Sequence, residues 1–245
     1  MQHERIADLA AMTWLDLLDW LSAPDNWARS AMVTSLAGGY ADTDGSSRGL
    51  SGADDLRVLQ ALRASSDVVL VGLRTAVQEG YQAGRLPADL RLHRPNGPRL
   101  AVVSRTLMLP PDGPLHEGEH PVIVITEEQN DKTWRQAANE VSEAFDLVVS
   151  AEPLCGRSIR SLLQTRGLTR LLCEGGPSVQ QLMRADGSID EICLSVAFAL
   201  GGRSEPGNGA LGAVPTRYDL TAAAVSPQHA VLRLQAQHDA PTLVA

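Results

Sequence analysis

Cysteine is scarce and scattered in this 245-residue chain. The three thiols, Cys155, Cys173 and Cys193, are odd in number and far apart, and two lie inside apolar runs, where a free thiol behaves as a small hydrophobe. That pattern argues against a disulfide framework or a metal site of paired cysteines, and it points to a reducing, cytoplasmic setting. Positive charge is also in deficit, with 21 Lys and Arg against 29 Asp and Glu and a formal charge of -8. A general nucleic-acid or anionic-membrane surface needs net attraction to phosphate, so neither partner is expected. Long uninterrupted apolar runs are missing as well. The opening segment MQHERIADLAAMTWLDLLDWLS is broken by Glu4, Asp8, Asp16 and Asp19, so it reads as an amphipathic surface helix rather than a signal peptide or membrane span. There is no internal repeat, no convincing linker and no polar low-complexity stretch, and 44% hydrophobic content supplies a sizeable core.

What the chain does have is alternation. Apolar runs of strand length (30–36, 68–72, 100–104, 122–126, 147–150 and 170–174) alternate with segments of helical period, among them ADDLRVLQALRA, TWRQAANEVSEA and GRSIRSLLQTRG. This is the pattern of an α/β fold with a mixed, mostly parallel sheet flanked by helices. After about residue 188 the pattern changes. EICLSVAFAL, the Gly- and Pro-rich GGRSEPGNGALGAVP, then DLTAAAV and HAVLRLQA around a short SPQ turn read as C-terminal antiparallel strands with one long loop.

The stretch LLCEGGPSV (171–179) carries the chemistry. If RLLCE is a strand and PSVQQLMRADG a helix, Gly175 and Gly176 form the turn between them, with Pro177 near the first helical position, where its missing N–H costs nothing. Such a turn aims backbone N–H groups and the positive end of a helix dipole at one point, suited to a pyrophosphate. The alternative is an ordinary Gly turn closing a strand. Glu174 favours a site, because a carboxylate at the carboxyl end of a central strand lies where open α/β sheets hold ligands and needs a partner there.

LLCEGGPSVQQLMRADGSIDEICLSVAFALGGR resembles the pyrimidine reductase family of riboflavin biosynthesis, the reductase domain of the bifunctional deaminase-reductase, within the dihydrofolate-reductase-like superfamily. MVTSLAGGYADTDGSSRGLSGADDLRVLQALRASSDVVLVGLRTAVQEGY is similar to that family's first strand, substrate loop, first long helix and Gly-x-x-Thr turn, and LAVVSRT adds a third match; together they run from about residue 27 to 203. The resemblance implies a dihydrofolate-reductase-like domain over 27–245 behind a helical extension over 1–26. It also implies NADPH as cofactor, a small and phosphorylated substrate, and a homodimer. The implied reaction is hydride transfer to a pyrimidine-linked ribosyl unit, like that of 5-amino-6-(5-phosphoribosylamino)uracil reductase. A diverged reductase of another heterocycle or imine, and a non-catalytic nucleotide-binding homologue, stay open beside it. No zinc signature of a deaminase and no nucleophile elbow is present, so no metal and no nucleophilic catalyst is expected.

By the same resemblance, Gly175, Gly176, Pro177, Ser178 and Val179 fall on the pyrophosphate turn, and Val33, Thr75, Glu79 and Ser104 on cofactor contacts, with Arg105 the basic group for a 2′-phosphate. Ser47, Arg63 and Glu174 fall on the substrate side. The residues also admit plainer roles: Thr75 as a helix N-cap, Ser47 as a turn residue, and Arg63 as a cation at a helix C-terminus. No side chain is assigned a catalytic role. Two positions depart from the family pattern. Ala37 stands where an acid is usual after Ser35 and Leu36, and Leu73 and Arg74 are bulky where the turn before Thr75 is usually small.

Overall fold

The computed structural model of the chain describes residues 6–42, 45–203 and 217–237. In chain order the elements are β1 (Ala7–Asp8), α1 (Trp14–Trp20), β2 (Ala28–Ser35), α2 (Ala53–Ala64), β3 (Val68–Gly72), α3 (Leu73–Glu79), α4 (Ala88–Arg91), β4 (Arg99–Val103), β5 (Ile123–Glu127), α5 (Lys132–Ala144), β6 (Asp146–Ser150), α6 (Gly156–Gln164), β7 (Leu171–Gly175), α7 (Pro177–Ala185), β8 (Glu191–Ala197), β9 (Tyr218–Val225) and β10 (His229–Ala236). The strands form one sheet in the order β1-β9-β10-β8-β2-β7-β3-β4-β5-β6. From β8 to β6 all neighbours are parallel. Such strands are covered on both faces, which is why runs like VVLVG are apolar without alternation.

Two hydrophobic layers result. On one face Leu62, Val69, Val71, Val124, Val141 and Leu172 pack beneath α1, α2 and α5; on the other Leu70, Cys173, Ile159, Leu163 and Met183 pack beneath α6 and α7. The period-two alternation of β7 sends Leu172 and Glu174 toward α2, and Leu171 and Cys173 toward α7. Burial pushes the Cys173 thiol up to about 12, so it serves as a small apolar side chain.

The structure corrects the sequence reading at the N-terminus. The N-terminal segment is not one helix: Ala7 and Asp8 pair in parallel with Ala224 and Val225, and helix begins only at Trp14. The cause is a capping box. The Thr13 hydroxyl accepts from the Asp16 N–H (3.2 Å) while the Asp16 carboxylate accepts from the Thr13 N–H (2.8 Å), which fixes the first turn at that point. The strands after residue 188 do pair antiparallel, β8 with β10 and β10 with β9, and the structure adds a parallel neighbour on the other side of β8. Helix α7 provides a crossover, so β8 arrives parallel to β2 (Arg29↔Glu191 through Ser35↔Ala197) and is antiparallel only to β10. The long Gly- and Pro-rich loop lies, from residue 204 onward, outside the described residues.

Glu191, 2% exposed at the start of β8, ties this half of the sheet together. Its carboxylate accepts from Arg29 Nε (3.0 Å), Arg233 Nε (2.5 Å) and Trp27 Nε1 (2.9 Å), while Arg29 also donates to the Leu21 carbonyl and Arg233 to the Trp20 carbonyl at the end of α1. Burial works against the charge on Glu191, and the Arg233 hydrogen bond with both arginine charges outweighs it, holding the carboxyl below its usual range. Removing one partner of a buried ionic cluster leaves the others uncompensated. Glu191→Gln is therefore expected to cost about 3–5 kcal/mol of unfolding free energy at neutral pH, read by urea denaturation. The contribution of a depressed carboxyl is complete above its unfolded value of about 4.3 and is lost as the pH falls through the folded one. The gap between wild type and variant should close on acidification, and a gap that stays constant would refute the assignment.

Candidate active site

Strand β7 sits between β2 and β3, so the carboxyl ends of these three parallel strands meet at one edge of the sheet. The chain leaves β2 and β3 for different elements there, and a crevice opens between the departing segments. It has a volume of about 460 Å³ and is walled by β2 and β8, the inner face of α2, the start of α3 and the turn after β7.

The β7 turn is built by glycine. The register against β3 slips so that Val71 lies opposite Gly175 rather than Glu174, a bulge that leaves Glu174 as the extra residue at the strand end. Gly175 and Gly176 then take φ of 115° and 64°, a region that disfavours side chains. Pro177, which has no N–H, opens α7, Gly176 is its N-cap without any side-chain cap, and the Val179 N–H donates to the Gly176 carbonyl (3.1 Å), so Ser178 carries the first-turn N–H that no side chain caps. A Cβ on Gly176 would stand 2.6 Å from Thr75 Oγ1. The turn and the first turn of α3 thus form a narrow cradle that a side chain would fill, which fits a phosphate approached by backbone. Here Thr75 departs from its plainer reading: the N-cap of α3 is Gly72, and Thr75 is the third helical residue with its hydroxyl against the glycine turn.

The same crevice holds a hydrogen-bonded triad centred on Glu174, the residue just before the turn. Arg63, in the last turn of α2, donates from Nε (2.7 Å) and Nη2 (2.6 Å) to the two oxygens of Glu174, and the Tyr81 hydroxyl donates to Glu174 at 2.7 Å. The guanidinium carbon also lies 5.2 Å from the centroid of the Tyr81 ring. Burial disfavours the charge on Arg63, yet the adjacent Glu174 raises its pKa above the usual range; burial and then Glu174 push the Tyr81 phenol up too, so it stays an O–H donor. Glu79, at the end of α3, is pushed up by burial and by the charge of Glu174, against the pull of Arg48 and Arg63.

Of the residues singled out from sequence, the crevice brings together Val33, Ser47, Arg63, Thr75, Glu79, Glu174, Gly176 and Pro177. The others do not line it. Gly175 is buried within the turn, Ser178 is exposed, and Val179 is core, packed against Gly72. Ser104 is buried at the end of β4, where its hydroxyl accepts from the Leu107 N–H (3.1 Å), and Arg105 is mostly exposed beside Glu127 (3.7 Å). Both sit on the same sheet edge one strand beyond the crevice. Arg74 lines the crevice, whereas Ala37 is exposed on a turn and is not among its lining residues.

Sequence reasoning missed Tyr81, Gln180 and Asp55. Gln180, 3% exposed, accepts from the Ser30 hydroxyl (2.6 Å) and donates to the Ala31 (3.3 Å) and Cys173 (3.1 Å) carbonyls, tying α7 to β2 and β7 below the turn. Its signal was a polar residue on the Val179–Met183 inner stripe of α7. Asp55 carries the same signal on α2, in step with Val58, Leu59 and Leu62. Tyr81 follows the left-handed Gly80 that ends α3, and nothing local marks its partner.

A crevice at the carboxyl edge of a parallel sheet lies where open α/β proteins hold their ligands. The chain belongs to the RibD C-terminal domain family, which matches residues 26–229. A protein of Archaeoglobus fulgidus named 2,5-diamino-6-ribosylamino-4(3H)-pyrimidinone 5′-phosphate reductase is 26% identical over 183 residues, covering 71% of this chain and 82% of that one. The crystal structure of a pyrimidine reductase-like protein from Corynebacterium diphtheriae is 25% identical with a TM-score of 0.74, covering 87% of this chain and 92% of that one. A deaminase/5-amino-6-(5-phosphoribosylamino)uracil reductase from Thermotoga maritima shares the fold at 18% identity and a TM-score of 0.63, over 87% of this chain and 57% of that one.

The glycine cradle yields a direct test. Gly176→Ala is expected to cost about 1–3 kcal/mol of stability through its backbone conformation, with a further loss from the clash with Thr75 Oγ1. The double variant Thr75→Ala with Gly176→Ala should recover only the clash. Thermal unfolding that leaves Gly176→Ala as stable as wild type would contradict the geometry.

Proposed function

We propose that this protein is an NADPH-dependent reductase of a phosphoribosylamino-pyrimidine, and that the crevice at the end of β7 is its active site. Its family membership and its reductase relatives make it an oxidoreductase. The observation that carries the finer reading is that the glycine turn at Gly176, with Thr75 beside it, and the Arg63–Glu174–Tyr81 triad line one cleft.

In this reading the cradle, with Thr75 beside it and the uncapped start of α7, holds the cofactor's pyrophosphate. Arg74 adds a cation at the mouth, and Ser104 and Arg105 lie where the adenosine end would extend along the sheet edge. Arg105, with its guanidinium largely in solvent, is the group for a 2′-phosphate. Bound NADPH would supply the hydride that reduces C1′ of the ribosyl unit. The chain's own residues position and neutralise. Glu174 is held in one orientation by three hydrogen bonds, so its remaining lone pairs can accept from a sugar hydroxyl without reorganising. Ser47 and Arg63 complete that wall; because Nε and Nη2 of Arg63 are engaged by Glu174, its help to a phosphate comes from charge and Nη1 rather than from a free fork. Opening the sugar requires a proton on the former ring oxygen, and Glu79, whose carboxyl is pushed toward the protonated form, is the acid we assign to it.

No helix of the described residues is long and apolar enough to cross a membrane. We read the protein as cytoplasmic and as a homodimer, the latter to be checked by solution scattering. Function is tested by following NADPH absorbance with the diaminopyrimidinone phosphate as substrate. Steady oxidation at roughly 1–1000 per second, with NADH much less effective and that preference reduced in Arg105→Ala, is the expected outcome. NADPH binding without turnover on any pyrimidine would instead identify a nucleotide-binding homologue.

A further inference from the structure

His229, the first residue of β10, is buried (4% exposed) beside the loop that leads into α2. Its Nε2 lies 2.9 Å from the Leu50 carbonyl oxygen, and since a carbonyl only accepts, Nε2 carries the proton and donates. The other ring nitrogen, Nδ1, is buried with no partner among the described residues. A histidine serving only as filler is a poor choice here, because an apolar side chain would avoid burying that nitrogen unpaired. The glycine that precedes α2 points the same way. Gly52 is the N-cap, with an ordinary extended backbone (φ -122°, ψ -178°) and no side-chain cap, although Asn, Asp or Ser would cap better. A Cβ there would stand 2.6 Å from His229 Cε1, so the seat of the imidazole excludes a capping side chain.

The bond to Leu50 reaches the crevice through one peptide group. The Leu50–Ser51 peptide has its carbonyl held by His229, while its N–H, that of Ser51, donates to the Ser47 carbonyl (3.2 Å). The Leu50 N–H donates to the same Ser47 oxygen (3.0 Å). Ser47 and Ser51 both line the crevice. His229 is itself fixed: its N–H donates to Ser226 Oγ (3.3 Å), its carbonyl accepts from the Ser226 N–H (2.8 Å), and it pairs with Ala197 at the end of β8. We propose that His229 is a positioning residue of the active site, holding the Ser47–Ser51 loop through the Leu50 carbonyl in the arrangement that meets the substrate. The β9–β10 hairpin, none of whose described residues lines the crevice, thereby sets the loop at the head of its α2 wall. The inference rests on the reductase reading for the ligand, and on the hydrogen bonds alone for the hold on the loop.

The test compares wild type with His229→Leu and with His229→Gln, whose amide keeps a donor near the place of Nε2. Steady-state kinetics on the diaminopyrimidinone phosphate, the NADPH dissociation constant, and hydrogen exchange over residues 47–52 without substrate are measured for each. His229→Leu should raise KM about tenfold or more, with kcat and NADPH affinity little changed and exchange over 47–52 faster. His229→Gln should recover most of both effects. In a Ser47→Ala background, His229→Leu should add little to KM, because the two act through one loop. Should His229→Leu not fold, Gly52→Ala displaces the imidazole with His229 still in the chain and carries the same expectation. A lowered melting temperature with unchanged KM and unchanged exchange would overturn the proposal, and so would a His229→Gln as impaired as His229→Leu. Faster exchange with unchanged KM would leave His229 a loop anchor and remove its role at the active site. Absence of NADPH oxidation by wild type on any pyrimidine would remove the reductase reading and the substrate role with it, while the exchange data would still decide the hold on the loop.

Discussion

The insertion of β7 between β2 and β3 is the constraint on which the rest of the molecule depends. Three parallel strands that are remote in sequence end side by side, and the segments leaving them have to part. The bulge at Glu174 and the positive φ of the two glycines turn the chain sharply into α7, so backbone rather than side chain lines the parting. Everything chemically distinctive is arranged around that point: Thr75 against the turn, Gln180 beneath it, and Glu174 across from α2.

Polar groups near this edge are numerous for a buried region, and nearly all are satisfied by one another. Arg63, Tyr81 and Glu174 form one closed set, and Gln180 with Ser30 and two backbone carbonyls forms a second. At the opposite, amino end of the parallel strands, Arg29, Arg233, Trp27 and Glu191 form a third, joined to the end of α1. Such sets add modestly to net stability because desolvation offsets much of the attraction. Their effect is on geometry, since each satisfied member can hold only one orientation.

In the proposed reading one crevice serves two ligands, and its sides differ in chemistry. The β7 turn and α3 offer backbone N–H groups, glycine and a cation, which suit phosphate. The α2 wall offers a mostly apolar surface with an acid at one end and an ion pair at the other, which suits a flat heterocycle linked to a sugar.

How much of this was legible in the sequence follows from the range of the interactions involved. Strands β2 to β7 and helices α2, α5, α6 and α7 were readable because they rest on local periodicity, the short α3 and α4 were not, and the Gly175–Gly176–Pro177 turn was because its backbone demands are local too. The Thr13 capping box was equally local, but the helical look of the first 22 residues masked it. Which partners meet was not readable. The pairing of Arg63 with Glu174 spans 111 residues and that of Tyr81 with Glu174 spans 93, and no spacing rule operates over such distances. The parallel arrival of β8 beside β2 and the exclusion of Val179 and Ser104 from the crevice were likewise decided by how the elements pack. The sequence by itself determined the elements, their order and the glycine turn; only the tertiary structure decided which side chains share a wall, because burial and pairing are properties of neighbours in space.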